Sequence, residues 1–64
     1  MRITVLRQLM GEEFGSVRSD HLSQDYVFSG LDGRTVNQAI EDGLAATRIW
    51  REVCETFDVP QERR

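Results

Sequence analysis

The sequence predicts an all-α domain, a compact bundle of three to four short helices with the last two joined in a helix-turn-helix-like corner. Three observations carry that expectation. No segment alternates apolar and polar residues for long enough to form a strand. Apolar residues instead recur at helical spacing, most cleanly at Ile49, Trp50, Val53, Cys54 and Phe57. Glycine punctuates these patterns, with Gly15, Gly30, Gly33 and Gly43 each falling where an apolar stripe stops, the C′ position that favours positive φ.

The first helix is expected over Val5–Phe14, with Thr4 as its N-cap. Leu6, Leu9, Met10 and Phe14 form its stripe. Gly11 interrupts it and should weaken it by about 1 kcal/mol relative to alanine. Glu12 and Glu13 lie at the carbonyl end, the unfavourable end for negative charge. The second helix is expected to start at Ser16, a second N-cap, and to reach Phe28, with Val17, His21, Leu22, Tyr26 and Phe28 as its apolar positions. Ser29, Gly30, Asp32 and Gly33 make a turn around Leu31, which plugs the core. Thr35 and Gln38 have the spacing of a capping box at the head of a short third helix, whose inner face is Val36, Ala39 and Ile40. Gly43 ends it and Leu44 turns inward. The fourth helix is expected over Ala46–Phe57, with Arg48, Arg51, Glu52 and Glu55 on its outer face. Asp58, Val59 and Pro60 stop it. Residues 1–64 thus make one domain, with 61–64 as a frayed tail.

Composition narrows the function classes. At 64 residues, the chain buries only about 60% of the surface its unfolded form exposes, which leaves little room for both a core and a catalytic cleft. One cysteine (Cys54) and one histidine (His21) allow no internal disulfide and no four-ligand zinc site of the usual kind. No cofactor and no metal are expected, and an enzyme is the least favoured class. An unpaired cysteine suits a reducing compartment. The N-terminal residues lack the apolar core of a signal peptide, and no run approaches the roughly 20 apolar residues of a membrane span. The expected location is cytoplasmic. All eight basic residues are arginine and the net charge is −3, so phosphate binding would require those arginines to cluster on one face.

The stretch from Gly33 to Trp50 decides between two partner classes. A helix-turn-helix needs a small residue, a glycine four positions on, an apolar residue just after it, and an apolar anchor about ten positions past the small one. Ala39, Gly43, Leu44 and Ile49 meet those needs. Asp42 and Glu52 stand where apolar residues are usual. The reading face would carry Thr47, Arg48, Arg51, Glu52 and Glu55, and residues 34–58 hold three arginines against five acids. The basic footprint of a nucleic-acid reader is absent, so a tight corner between packed helices is the preferred reading. Cys54 lies on the apolar stripe and reads as a small hydrophobe rather than half of a Cys54–His21 nucleophilic pair. Glu12/Glu13 and Glu41/Asp42 are adjacent and diverge on a helix, and the glycines lack phosphate-loop spacing.

The whole chain resembles a small actinobacterial family of uncharacterised proteins. The resemblance rests on Met1, Arg2 and Thr4 at the start, Phe14–Gly15, Asp25 with Val27, LDGRTVNQAIEDG at residues 31–43, IWREVC at 49–54 and DVP at 58–60. It implies a small helical protein often encoded near the RecA recombinase and its RecX regulator, and it supplies no catalytic residues. The family tends to carry Asp-Pro where this chain has Ala45 and Ala46, a departure that removes a good start for the last helix. The expectation is therefore an interaction or regulatory module, and the resemblance makes recombination and repair the place to seek its role. An unidentified protein is its partner, and Arg34, Arg48, Trp50 and Arg51 are its anchors. A homodimer is compatible with so small a core. The alternative is a helix-turn-helix-like nucleic-acid binder using residues 35–57.

Overall fold

The computed structural model describes residues 1–64. Four helices follow one another, α1 (Ile3–Phe14), α2 (Ser16–Asp25), α3 (Val36–Glu41) and α4 (Ala46–Thr56), with 3-10 turns at Ser29–Leu31 and Gln61–Arg63. There is no sheet; Phe28 and Arg34 form an isolated antiparallel bridge. The all-α expectation holds. The radius of gyration is 10.4 Å, close to the ~11 Å of a compact chain of this length, so no arm extends from the globule.

The first helical pair departs from expectation at its ends. Thr4 is not the cap of α1. The helix already begins at Ile3, with Arg2 in an extended conformation and no side-chain cap. Leu6 and Met10 are fully buried, and Leu9 and Phe14 pack partly against the core. Gly15 is the whole connection to α2. Its φ of 82° and ψ of 155° lie in a region that is essentially open only to glycine. Gly15, not Ser16, is therefore the N-cap residue of α2.

Helix α2 stops at Asp25, not Phe28. Tyr26 and Phe28 are extended, and this lets Phe28 reach the core and bridge to Arg34 while Tyr26 packs tilted, and Phe28 edge-on, against Phe57. The buried face of α2 also differs. It is Ser19, Leu22 and Ser23, whereas Val17 and His21 point outward. Small hydroxyl side chains fit where α2 lies against α1, and the Ser23 hydroxyl points at the Met10 sulfur (3.9 Å).

The second half follows its local signals closely. Leu31 is fully buried. Gly33 and Gly43 take positive φ, but Gly30 does not; Asp32 turns the chain with a φ of 59° instead. At Gly30 an added Cβ would meet the Glu52 carboxylate, the far end of a flexible side chain that would have to swing aside. Thr35 and Gln38 form the capping box, each side chain bonded to the other's backbone amide. Past α3, the Leu44 amide bonds to Ala39 O and the Gly43 amide to Ile40 O, the double closure of a Schellman motif. Helix α4 keeps only the outer of these two bonds: Asp58 has a φ of 54° and the Val59 amide bonds to Cys54 O, with Val59 buried behind it.

The core comprises thirteen apolar residues drawn from all four helices, the 28–31 segment and Val59. Residues 61–64, expected to fray, make contacts across the chain. Arg63 bonds both carboxylate oxygens of Glu13 at 2.7 and 3.1 Å, and Arg64 donates to Val59 O and Cys54 O.

Candidate interaction surface

The four anchors expected from the sequence do not form one patch. Arg34 donates from Nε to Asp42 Oδ2 at 2.6 Å and from Nη1 to Leu31 O and Asp32. The hydrogen bond to Asp42 raises its pKa further, with Asp32 adding to the effect, so it is always charged. Arg48 donates to Gly30 O (3.3 Å) and to the same Asp32 carboxylate (3.5 Å). Both arginines are engaged inside the chain, tying the 29–34 turn to the α3–α4 corner. Trp50 is 3% exposed and donates its indole N–H to Arg64 O. It anchors the core and presents no surface. Arg51 alone of the four is solvent-exposed and free of a close partner, 4.0 Å from Glu52.

The residues of the corner take the buried and turn positions expected of them. Ala39 and Ile49 are fully buried and Leu44 partly so, around the positive φ of Gly43. The outer side of α4 is another matter. Arg48 and Glu52 turn against the 29–31 turn, which leaves Thr47, Arg51 and Glu55 as the exposed row. One cation beside one anion gives phosphate little to bind.

Cys54 is fully buried, and burial pushes its thiol pKa up, which removes the thiolate that nucleophilic chemistry requires. His21 is solvent-exposed, 3.7 Å from Asp25. Cys54 and His21 are not a pair. No three His, Cys, Asp or Glu side chains gather to hold a metal ion, and no helix is long and apolar enough to cross a membrane.

A surface that sequence reasoning missed lies beside α2. Phe14 and Phe57 meet edge to face, with ring centroids 5.4 Å apart, and Tyr26 and Phe28 extend the cluster. The Arg18 guanidinium sits over Phe14 and Phe57, 5.5 and 5.9 Å from the two centroids. It makes no hydrogen bond or ion pair within the chain, so its in-plane donors face solvent. Around it lies a shallow depression lined by Phe14, Val17 and His21. Val17 is 71% and Val27 57% exposed. No local pattern in the sequence signals this surface, since Phe14, Arg18 and Phe57 meet only in the fold. Nor was it visible that serines, rather than Val17 and His21, would take the inner face.

A family model described as a protein of unknown function, DUF3046, matches residues 1–62, and the chain belongs to that family. Neither the curated proteins nor the solved structures contain a significant match.

Proposed function

We propose that this chain is a protein-interaction module whose contact face is the outer side of α2 together with the aromatic cluster beside it. One observation carries the reading: a guanidinium stacked on two aromatic rings, with unpaired donors, next to an exposed valine. Arginine and aromatic side chains supply most binding hot spots. Stacking pre-orders the long arginine side chain, so less entropy is lost when a carboxylate binds it. The reading moves the contact face away from Arg34 and Arg48, which serve the fold. It also favours binding over catalysis, because the chain's one thiol is buried and protonated.

A soluble, cytoplasmic role fits the composition, and the family resemblance implies an actinobacterial cell. The family's implied genomic neighbourhood makes recombination and repair proteins the first candidates to try as partners. The experiment is capture from native lysate by the tagged chain and by its Val17→Glu variant, each with and without nuclease. A protein that survives nuclease and is lost with Val17→Glu supports the reading. Capture that is indifferent to Val17→Glu sinks it. Recovery of nuclease-sensitive material alone would favour the nucleic-acid alternative, for which the corner geometry around Gly43 speaks.

A further inference from the structure

We propose that the outer face of α2 is the contact surface of a homodimer, in which a second copy packs α2 antiparallel to the first across a two-fold axis. The proposal rests on the interaction reading above and names the occupant of that face.

Helix α2 lacks determinants of its own. It has no side-chain cap, no acidic residue in its first turn and no basic residue in its last. Asp25 sits at its carbonyl end, where negative charge is unfavourable. Leu22 is its one buried large apolar residue, while Val17 faces solvent. Such a helix depends on what packs against it, and one of its two sides is unpacked.

Charge identifies the second copy as what covers it. Arg18 has unpaired donors and no carboxylate. Asp25 is well solvated, with His21 Nδ1 at 3.7 Å as its neighbour. The two lie seven residues apart, two helical turns or about 10.5 Å along the axis, on the same flank of α2. In an antiparallel helix pair related by a two-fold axis, like flanks face each other. The register that sets Arg18 opposite Asp25 of the second copy therefore sets Asp25 opposite its Arg18. That register is centred between His21 and Leu22. An isologous contact must be self-complementary in this way. A foreign acidic segment would satisfy Arg18 and leave Asp25 with His21 alone; the same chain gives each an opposite charge. Asp20 lies on the opposite flank and keeps its water.

The test uses the full chain in sedimentation velocity across a wide concentration range. Wild type should show a reversible monomer–dimer equilibrium. Arg18→Asp and Asp25→Arg should each weaken it by about tenfold or more, because each turns two attractions into two repulsions. Mixing the two variants should restore association, since the mixed pair has two arginines facing two aspartates. Because Arg18 also packs on Phe14 and Phe57, a second probe leaves it untouched. His21→Cys, next to the axis, should give a covalent dimer on mild oxidation, whereas Glu55→Cys on the outer row of α4 should not. A wild type that stays monomeric throughout, a mixture no tighter than its components, or equal cross-linking of the two cysteine variants would overturn the dimer. If the dimer falls while Val17→Glu still abolishes capture of another protein, the interaction reading stands with a different partner. If Val17→Glu alters neither self-association nor capture, both fall.

Discussion

Around the α3–α4 corner the polar side chains have partners within the chain. Arg34 and Arg48 share Asp32, Arg34 also holds Asp42, and the capping box closes the head of α3. Along α2 the reverse is true: no cap, an arginine without a carboxylate, and a valine in solvent. The two regions are comparable in size and differ in what completes them. The corner is finished by its own sequence, whereas the outer side of α2 is left to solvent. That difference is why a surface read from α4 arginines leads inward and a surface read from α2 leads outward.

The largest effect that sharpens the contrast is expected from Ile49. It is fully buried in the core under the corner, and Ile49→Ala should cost about 2–5 kcal/mol. A chain of this length has ~3–10 kcal/mol in total, so the variant should lose much or all of its folding transition in urea titration. Val17→Ala, on a residue of similar chemistry, should change monomer stability by no more than about 0.5 kcal/mol. Comparable losses at both positions would mean that Val17 belongs to the core and that α2 has no free face.

The two glycines of the first helical pair come next. Gly15→Ala places a side chain at a φ of 82° and should cost about 1–3 kcal/mol. Gly11 lies within α1, and a methyl group added there would meet nothing within 4 Å. Gly11→Ala should therefore stabilise the chain by about 0.5–1 kcal/mol, roughly a 2–8 °C rise in melting temperature. Opposite signs in thermal unfolding are the expected result. Two losses would show that α1 meets a surface at Gly11.

These cases also show how far the sequence can be read. Where the cause is local, the residues suffice: Thr35 with Gln38, the positive φ of Gly43, the stripe of α4 and the burial of Leu31 all follow from neighbours within a few residues. Where tertiary packing chooses, they do not. Thr4 could cap a helix, but Ile3 joins α1 and moves the start. Val17 and His21 fit a helical stripe as well as Ser19 and Ser23 do, and the close approach of α1 selects the serines. The arginines of the outer face are visible in the sequence, but their partners, Asp32 and Gly30 O, lie 16 and 18 residues away from Arg48. Arg18 over Phe14 and Phe57 joins residues 14, 18 and 57, a contact no local pattern contains.

A smaller effect separates the two helix starts. Thr35→Ala removes the Oγ1 acceptor of the Gln38 amide and should cost about 1 kcal/mol. Helix α2 has no side-chain cap hydrogen bond, so Ser16→Ala should be close to neutral. Gln38→Ala added to Thr35→Ala should cost less than the two single losses combined, because the box is one reciprocal unit. Strict additivity in urea unfolding would show that the two halves act independently.

The smallest effect appears only in alkali, and it tests whether the corner side is as closed as its contacts imply. Burial, opposed by Arg64 and reinforced by Glu13 and Glu55, lifts the Cys54 thiol above its ordinary value. The native chain then holds that proton at pH values where the unfolded chain has released it. Native protein binds more protons than unfolded protein in that window, so stability falls as pH rises. The fall should begin near the ordinary thiol pKa of about 8.5 and continue until the native thiol itself ionises. Other groups titrate in the same range, so the informative quantity is the difference between wild type and Cys54→Ala in urea unfolding at successive pH values. The wild type should lose its advantage over the variant as pH rises through that window. A difference that stays constant would mean that the native thiol ionises as readily as an unfolded one, and that water reaches Cys54 beneath the Arg64 contacts.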